Sequence, residues 1–209
     1  EFVLWVIGAN AKDKGKFVYE LPKNVVEVHE VFLDDALRLK DSGKMFHAFT
    51  EEETNSLKEL MLCRRPNWEI LFRLYHDQKL NPMSFLRSEE FLNILTECCI
   101  KDYPYIPFAD AFHTMRSMLL PVLYLMGSEV PKADVYHAIC TGYGGLLACL
   151  GGHVYKKKVL LTEHGIYTRE REEEIIRAKW VQPAFKKQWI AFFYMLSDII
   201  YKRAFLVSC

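Results

Sequence analysis

The alternation of apolar and polar positions divides the chain into three parts. Residues 1–33 have the texture of strands. Glu1-Phe-Val-Leu-Trp-Val-Ile7 reads as a buried strand, a turn-rich loop follows with Gly8, Asn10, Asp13 and Gly15, and Val25-Val-Glu-Val-His-Glu-Val-Phe-Leu33 alternates in a mixed way. Residues 34–126 carry helical spacing. Thr50-Glu-Glu-Glu53 predicts a capping box, with the threonine accepting from first-turn amides and Glu53 reaching back. Pro66 opens a helix over Asn67 to Lys79, another is expected over Ser88 to Lys101, and Tyr103-Pro-Tyr-Ile-Pro107 breaks the chain. A long apolar helix then runs from Phe108 to Met126, with a kink expected at Pro121. From Ala133 the pattern becomes strand, helix, strand: Asp134–Ile139, a glycine-rich loop over Cys140 to Gly145, a helix over Leu146 to Tyr155, and a strand over Lys158–Thr162. Helices are expected over Thr168–Trp180 and Pro183–Tyr201, and Ala204–Cys209 enters one more strand.

Strand, helix and strand at this spacing form the βαβ unit of a parallel sheet. The pattern therefore predicts an α/β fold: one doubly wound, Rossmann-like parallel sheet built from residues 1–33 and 133–209. The helical block between them becomes a large insertion or cap at about 34–126. The strand-like text at both ends argues for a piece of a longer chain, because domain boundaries fall in polar linkers. The 209 residues are 51% apolar and 14% aromatic, enough for a sizeable core. Lys+Arg and Asp+Glu both number 27, which speaks against general nucleic-acid binding but not against one anionic small molecule. Six scattered cysteines with no C-x-x-C pair read as reduced, buried thiols of a soluble, cytosolic protein. The longest apolar stretch, Trp189 to Tyr201, is interrupted by Ser197 and Asp198 and is too short for a bilayer, which needs about 20 residues.

Ligands of open parallel sheets bind beyond the carboxyl ends of the strands, and that rule selects two places. One is His137 with the loop Cys140-Thr-Gly-Tyr-Gly-Gly145. Its glycines let the backbone approach a ligand and its helix offers free amides, yet the spacing is neither a dinucleotide fingerprint nor a P-loop. A tight turn with glycines for packing explains it equally. The other is Thr162-Glu-His-Gly-Ile-Tyr-Thr-Arg-Glu-Arg171, where Glu163, His164, Arg169 and Arg171 fall within nine residues. Arginines near a helix start oppose the macrodipole by a few tenths of a kcal/mol. They imply an anionic ligand, or a carboxylate partner such as Glu163 in an ion-pair network that fixes the loop. His29, His47, His76 and His113 stand singly, and His153 falls where a histidine complements a helix dipole. No grouping has structural-zinc spacing and no Gly-x-Ser-x-Gly elbow occurs.

Those two segments resemble glycosyltransferase family four: a strand ending in His, a Gly-rich loop, a helix, and a strand ending in Thr-x-His. Leu161-Thr-Glu-His-Gly-Ile-Tyr-Thr-Arg-Glu-Arg171 is similar to the PelF-like branch of that family, which makes an exopolysaccharide. So are Ala133-Asp-Val-Tyr-His-Ala138 with Thr141-Gly-Tyr, Ile7-Gly-Ala-Asn10, Tyr19-Glu-Leu-Pro22 and Phe112-His-Thr-Met-Arg-Ser-Met118. The resemblance implies a GT-B enzyme of two Rossmann-like domains with the active site between them. It implies transfer of a sugar from a UDP-sugar to a growing saccharide acceptor, with retention of configuration and without a metal or other cofactor. His164 matches the histidine beside the transferred sugar and is the expected catalytic residue. His137, Thr141, Gly142, Glu163, Arg169 and Arg171 are the expected substrate-binding residues. By the same likeness, a Gly-Gly-Val loop would precede Glu1, and a donor-binding C-terminal domain with a Glu-x7-Glu motif would follow Cys209. Glu51 with Glu59 and Glu89 with Glu97 share that spacing by chance. The resemblance also implies work at the cytoplasmic, inner face of a membrane within a polysaccharide-synthesis complex.

A reading of another class competes with this one. A Rossmann-like module that has lost catalysis and serves binding or assembly would show the same fold. A phosphate-ligand enzyme of unrelated chemistry in the same crevice is a third reading.

Overall fold

A computed structural model describes residues 1–39 and 47–209. The expected helical block includes residues 40–46, which lie outside the described residues. Two parallel strands come first, β1 (Phe2–Gly8) and β2 (Val25–Phe32), paired from Val3 with Glu27 to Gly8 with Phe32. The helical block follows: α1 (Glu51–Met61), α2 (Trp68–Phe72), α3 (Pro82–Leu86), α4 (Glu89–Asp102) and α5 (Phe108–Met126). A βαβ segment closes the chain: β3 (Val135–Ala138), α6 (Gly142–Tyr155), β4 (Lys158–Thr162), α7 (Tyr167–Arg177), α8 (Lys186–Arg203) and β5 (Leu206–Ser208).

Local chemistry explains the helix starts. Thr50 Oγ1 accepts from Glu53 N at 3.3 Å while Glu53 Oε2 accepts from Thr50 N at 3.0 Å, the reciprocal box expected there. Asn67, Asn81 and Ser88 accept from first-turn amides of α2, α3 and α4. Past Phe72, α2 widens into one π-helical turn over Arg73–Asp77, so the expected helix to Lys79 ends early. α5 carries Pro121 inside it, yet Met115, Val122, Leu123, Leu125 and Met126 are fully buried. It packs against α1, α3, α4 and α6. The insertion is thus joined to the sheet region in one continuous apolar core.

The α/β class and the parallel pairing hold, with β3 beside β4 and β4 beside β5. The single sheet does not. β1 and β2 form a separate two-stranded sheet, and among the described residues no strand hydrogen-bonds it to β3–β4–β5. Side-chain packing takes the place of a ladder: Trp5, Ile7, Val31 and Leu33 lie against the common core. Nor is the three-stranded sheet covered alike on both faces. Tyr136, Ala138, Val159 and Leu161 are buried on the side of α6 and α8, whereas Val135, His137, Lys158 and Leu206 on the other face stay exposed.

A second tie joins the helical block to the sheet region. Glu69 of α2 receives Arg203 from the end of α8, and His153 Nδ1 from the end of α6 at 2.7 Å. The Arg203 guanidinium lies 5.2 Å from the Phe72 ring centre. His153, expected to complement the α6 dipole, is thus held by a carboxylate of another helix. The cysteines correct the sequence reading in part: all six are free, but Cys140 and Cys209 are exposed where the chain leaves β3 and β5. Among the described residues no helix is long and apolar enough to cross a membrane.

Partial burial works against ionisation of Glu69, but Arg203 and His153 outweigh it and hold its carboxyl below the ordinary value of 4.5. A depressed carboxyl contributes stability that is complete above the ordinary pKa and is lost as pH falls through the folded one. Glu69→Gln should therefore lower the melting temperature at neutral pH, and the gap to wild type should close as pH is taken below about 4.5. Thermal denaturation of both proteins across that range checks it. A gap unchanged into acid would mean that the cluster contributes no electrostatic stability.

Candidate functional site

β3 and β4 run parallel, so Cys140 and Glu163 leave the sheet at the same edge. Glu163 is fixed first through its backbone, whose N–H donates to the Ser208 carbonyl at 2.9 Å just beyond β4. Its Oε2 accepts from the hydroxyl of Tyr201, which reaches across from α8. Burial pushes the Tyr201 phenol up to about 12, and the bond to the Glu163 carboxylate and its charge add to this. Tyr201 therefore remains a donor over the whole neutral range. Glu163 Oε1 is shielded from solvent and has no hydrogen-bond partner among the described residues. The Cys140 thiol is raised by partial burial and then by the Glu163 charge, which places those two groups in one neighbourhood.

His137 and Thr162 sit on the exposed face of the sheet. His137 Nε2 lies 2.8 Å from Thr162 Oγ1, and Thr162 Oγ1 lies 2.8 Å from Ser208 Oγ, giving a polar line across β3, β4 and β5. His164 is exposed in the turn after Glu163 and makes no hydrogen bond or ion pair among the described residues. Gly165 continues that turn, and a Cβ there would stand 2.7 Å from Glu170 Oε1. So the structure brings His137, Glu163 and His164 to the carboxyl edge of adjacent strands.

Thr141 and Gly142 are used differently from expectation. Thr141 is buried, and its hydroxyl lies 2.7 Å from Ser197 Oγ of α8. Its side chain belongs to the α6–α8 contact, and only its backbone faces the loop. The helix begins at Gly142, so the glycines expected in a loop occupy the first turn of α6. Gly142 has φ +68°, and a Cβ there would stand 2.6 Å from Tyr167 Oη. Close packing under Tyr167 accounts for this glycine without a ligand.

The arginines find carboxylates on their own helix rather than at Glu163. Arg169 is 75% exposed, with Nε 3.9 Å from Glu173, so it is free to meet a ligand. Arg171 Nη1 pairs with Glu174 Oε2 at 2.6 Å, and its guanidinium lies 5.4 Å from the Tyr167 ring centre. Arg171 Nε is shielded and has no hydrogen-bond partner among the described residues. The Tyr167 phenol is raised chiefly by burial. Arg171 opposes that shift and Cys140 adds to it, so the ring stands between α7 and the end of β3. Among the described residues, no three His, Cys, Asp or Glu side chains converge as a metal site would.

The sequence reading missed Tyr201 and Ser208. The signal for the first was present: Ser197 and Tyr201 are four apart in a mostly apolar helix, hence on one face. Ser197 meets Thr141 and Tyr201 meets Glu163. For Ser208 no local pattern pointed to Thr162.

Parallel strands and a helix crossover define an α/β protein of Rossmann-like type, with polar side chains gathered at the carboxyl edge of its strands. The chain belongs to the family described as a domain of unknown function (DUF3492), whose model matches residues 1–208. No curated protein and no solved structure matches it.

Gly142→Ala should destabilise the chain by about 2 kcal/mol or more, combining left-handed backbone strain with a clash. Tyr167→Ala in the same background relieves the clash but not the strain, so the double variant should lose less than the sum of the singles. Urea denaturation of the four proteins measures this. Strict additivity would mean that Tyr167 does not press on Gly142.

Proposed function

We propose that this chain is the acceptor-side half of a retaining, GT-B glycosyltransferase that transfers a sugar from a UDP-sugar to a growing exopolysaccharide. The support comes first from the run Leu161–Arg171, which resembles the PelF-like branch of glycosyltransferase family four. The observation that carries the reading is the pair of unused polar atoms on the segment that carries His164. Glu163 Oε1 is a shielded acceptor and Arg171 Nε a shielded donor, and neither has a hydrogen-bond partner among the described residues. Buried polar atoms are normally satisfied, so a ligand with both donor and acceptor hydroxyls suits them. A sugar is such a ligand.

In this reading His164 binds a hydroxyl of the transferred sugar, and a neutral imidazole can donate or accept there. Tyr201 holds the Glu163 carboxylate in one orientation, making Tyr201 a positioning residue. Arg169 and Arg171 stabilise negative charge near the crevice, and His137 lines its floor beside Thr162. Donor contacts come mainly from a second, nucleotide-binding domain, and the site would work at the inner face of a membrane. A Rossmann-like binding or assembly module is the second reading. It is favoured by the way Arg169 and Arg171 are answered by Glu173 and Glu174 of their own helix.

Two measurements separate these readings. Calorimetry of this chain with UDP or UDP-glucose should show no binding tighter than roughly millimolar, about 4 kcal/mol, because the donor half is elsewhere. Micromolar binding would overturn that division of labour. In the enzyme complete with its donor-binding domain, His164→Ala should lower turnover by at least about a hundredfold with the melting temperature unchanged. If His164 only braces its turn, the melting temperature falls and turnover per folded molecule stays near wild type.

A further inference from the structure

Along α7 the surface opens into a concavity of about 560 Å³, lined by Glu170, Arg171, Glu173, Glu174, Arg177 and Trp180. It lies within the size range of small-ligand sites. Trp180 is 66% exposed, yet it is not loose. Its ring lies nearly perpendicular to that of the buried Trp189, centroids 5.4 Å apart at 81°. Lys186 donates to the Ile176 carbonyl and so fastens the end of α7 to the start of α8, with the Trp180 segment between them. A single perpendicular neighbour covers at most one face of an indole and leaves the other for stacking.

The charges around it are mostly paired, with one carboxylate in excess. Arg171 pairs with Glu174 at 2.6 Å and Arg177 with Glu173 at 3.6 Å, while Glu170 is directed to the Gly165 turn. Three carboxylates against two guanidiniums do not suit a phosphate or a polyanion. Planar, forked donors and acceptors beside an aromatic plate suit a pyranose, whose C–H face stacks and whose hydroxyls both give and accept. The concavity also borders the turn that carries His164, because Glu170 Oε1 stands against Gly165. From Glu170 to Arg177 it extends about 10 Å at 1.5 Å per residue. That is room for more than one ring.

We propose that this concavity is a subsite for an uncharged saccharide chain, with Trp180 as the stacking platform and the paired Arg and Glu side chains of α7 as hydroxyl partners. It rests on the transferase reading only for the source of the saccharide, a strand leading away from His164. The test is titration of the chain with β-1,4-linked tetrasaccharides of glucose and of N-acetylglucosamine, followed by tryptophan emission and by indole N–H signals in NMR. A saturable shift of the Trp180 signal is expected, with a Kd of about millimolar. Trp180→Ala should weaken it about tenfold and Trp180→Phe, which keeps an aromatic face, much less. Trp180 is exposed, so both variants should fold; if the alanine variant does not, Arg177→Ala with Trp180→Phe carries the comparison. Absence of a shift with either tetrasaccharide, or binding unaffected by Trp180→Ala, overturns the proposal. So does concentration-dependent self-association that Trp180→Ala abolishes, which would make the platform a contact between copies. Saccharide binding without sugar transfer by the complete enzyme would leave the subsite standing and sink only the transferase reading.

Discussion

The arrangement at the crevice depends on how closely α6 lies against α8. α6 is apolar on nearly every side, with Leu146, Cys149 and Leu150 fully buried. Such a helix is stable only if it is covered all round. Close approach to α8 is made by Gly145, where a Cβ would stand 2.9 Å from Ile200. At the end of that contact Thr141 and Ser197 share a buried hydrogen bond, which fixes the two helices in rotation as well as distance. One turn further along α8, Tyr201 then meets Glu163. A hydrophobic requirement of one helix is thus converted into the orientation of a carboxylate beside His164.

Much of this was legible locally. The capping box at Thr50, the long apolar helix α5 and the strand Lys158–Thr162 all stand where the sequence pattern puts them. Each is a matter of contacts within a few residues, which periodicity and capping chemistry encode. What was not legible depends on partners far apart in the chain. Periodicity marks β1 and β2 as parallel-type strands but does not say that they stand apart from β3. The glycine run shows that something approaches closely, and only the fold identifies Tyr167 and Ile200 as what approaches. The segment after β4 was singled out from its ionisable residues, and its central carboxylate is oriented by a tyrosine 38 residues later.

The arginines illustrate how magnitudes decide what a pattern means. Their place in the first turns of α7 sets them against the helix dipole at a cost of a few tenths of a kcal/mol. Pairs three or four residues apart on an exposed helix return roughly 0.3–0.5 kcal/mol each. Glu173 and Glu174 therefore offset that cost, and a ligand is not required to explain why arginines stand there. The same arithmetic does not dispose of Glu163. A shielded, unpartnered carboxylate oxygen costs about 1–3 kcal/mol or more, and nothing on α7 offsets it. Tyr201 satisfies the other oxygen and, by doing so, holds the carboxylate in one orientation. Arg171 Nε, also shielded and without a hydrogen-bond partner among the described residues, stands with Glu163 rather than with Arg169 in this respect.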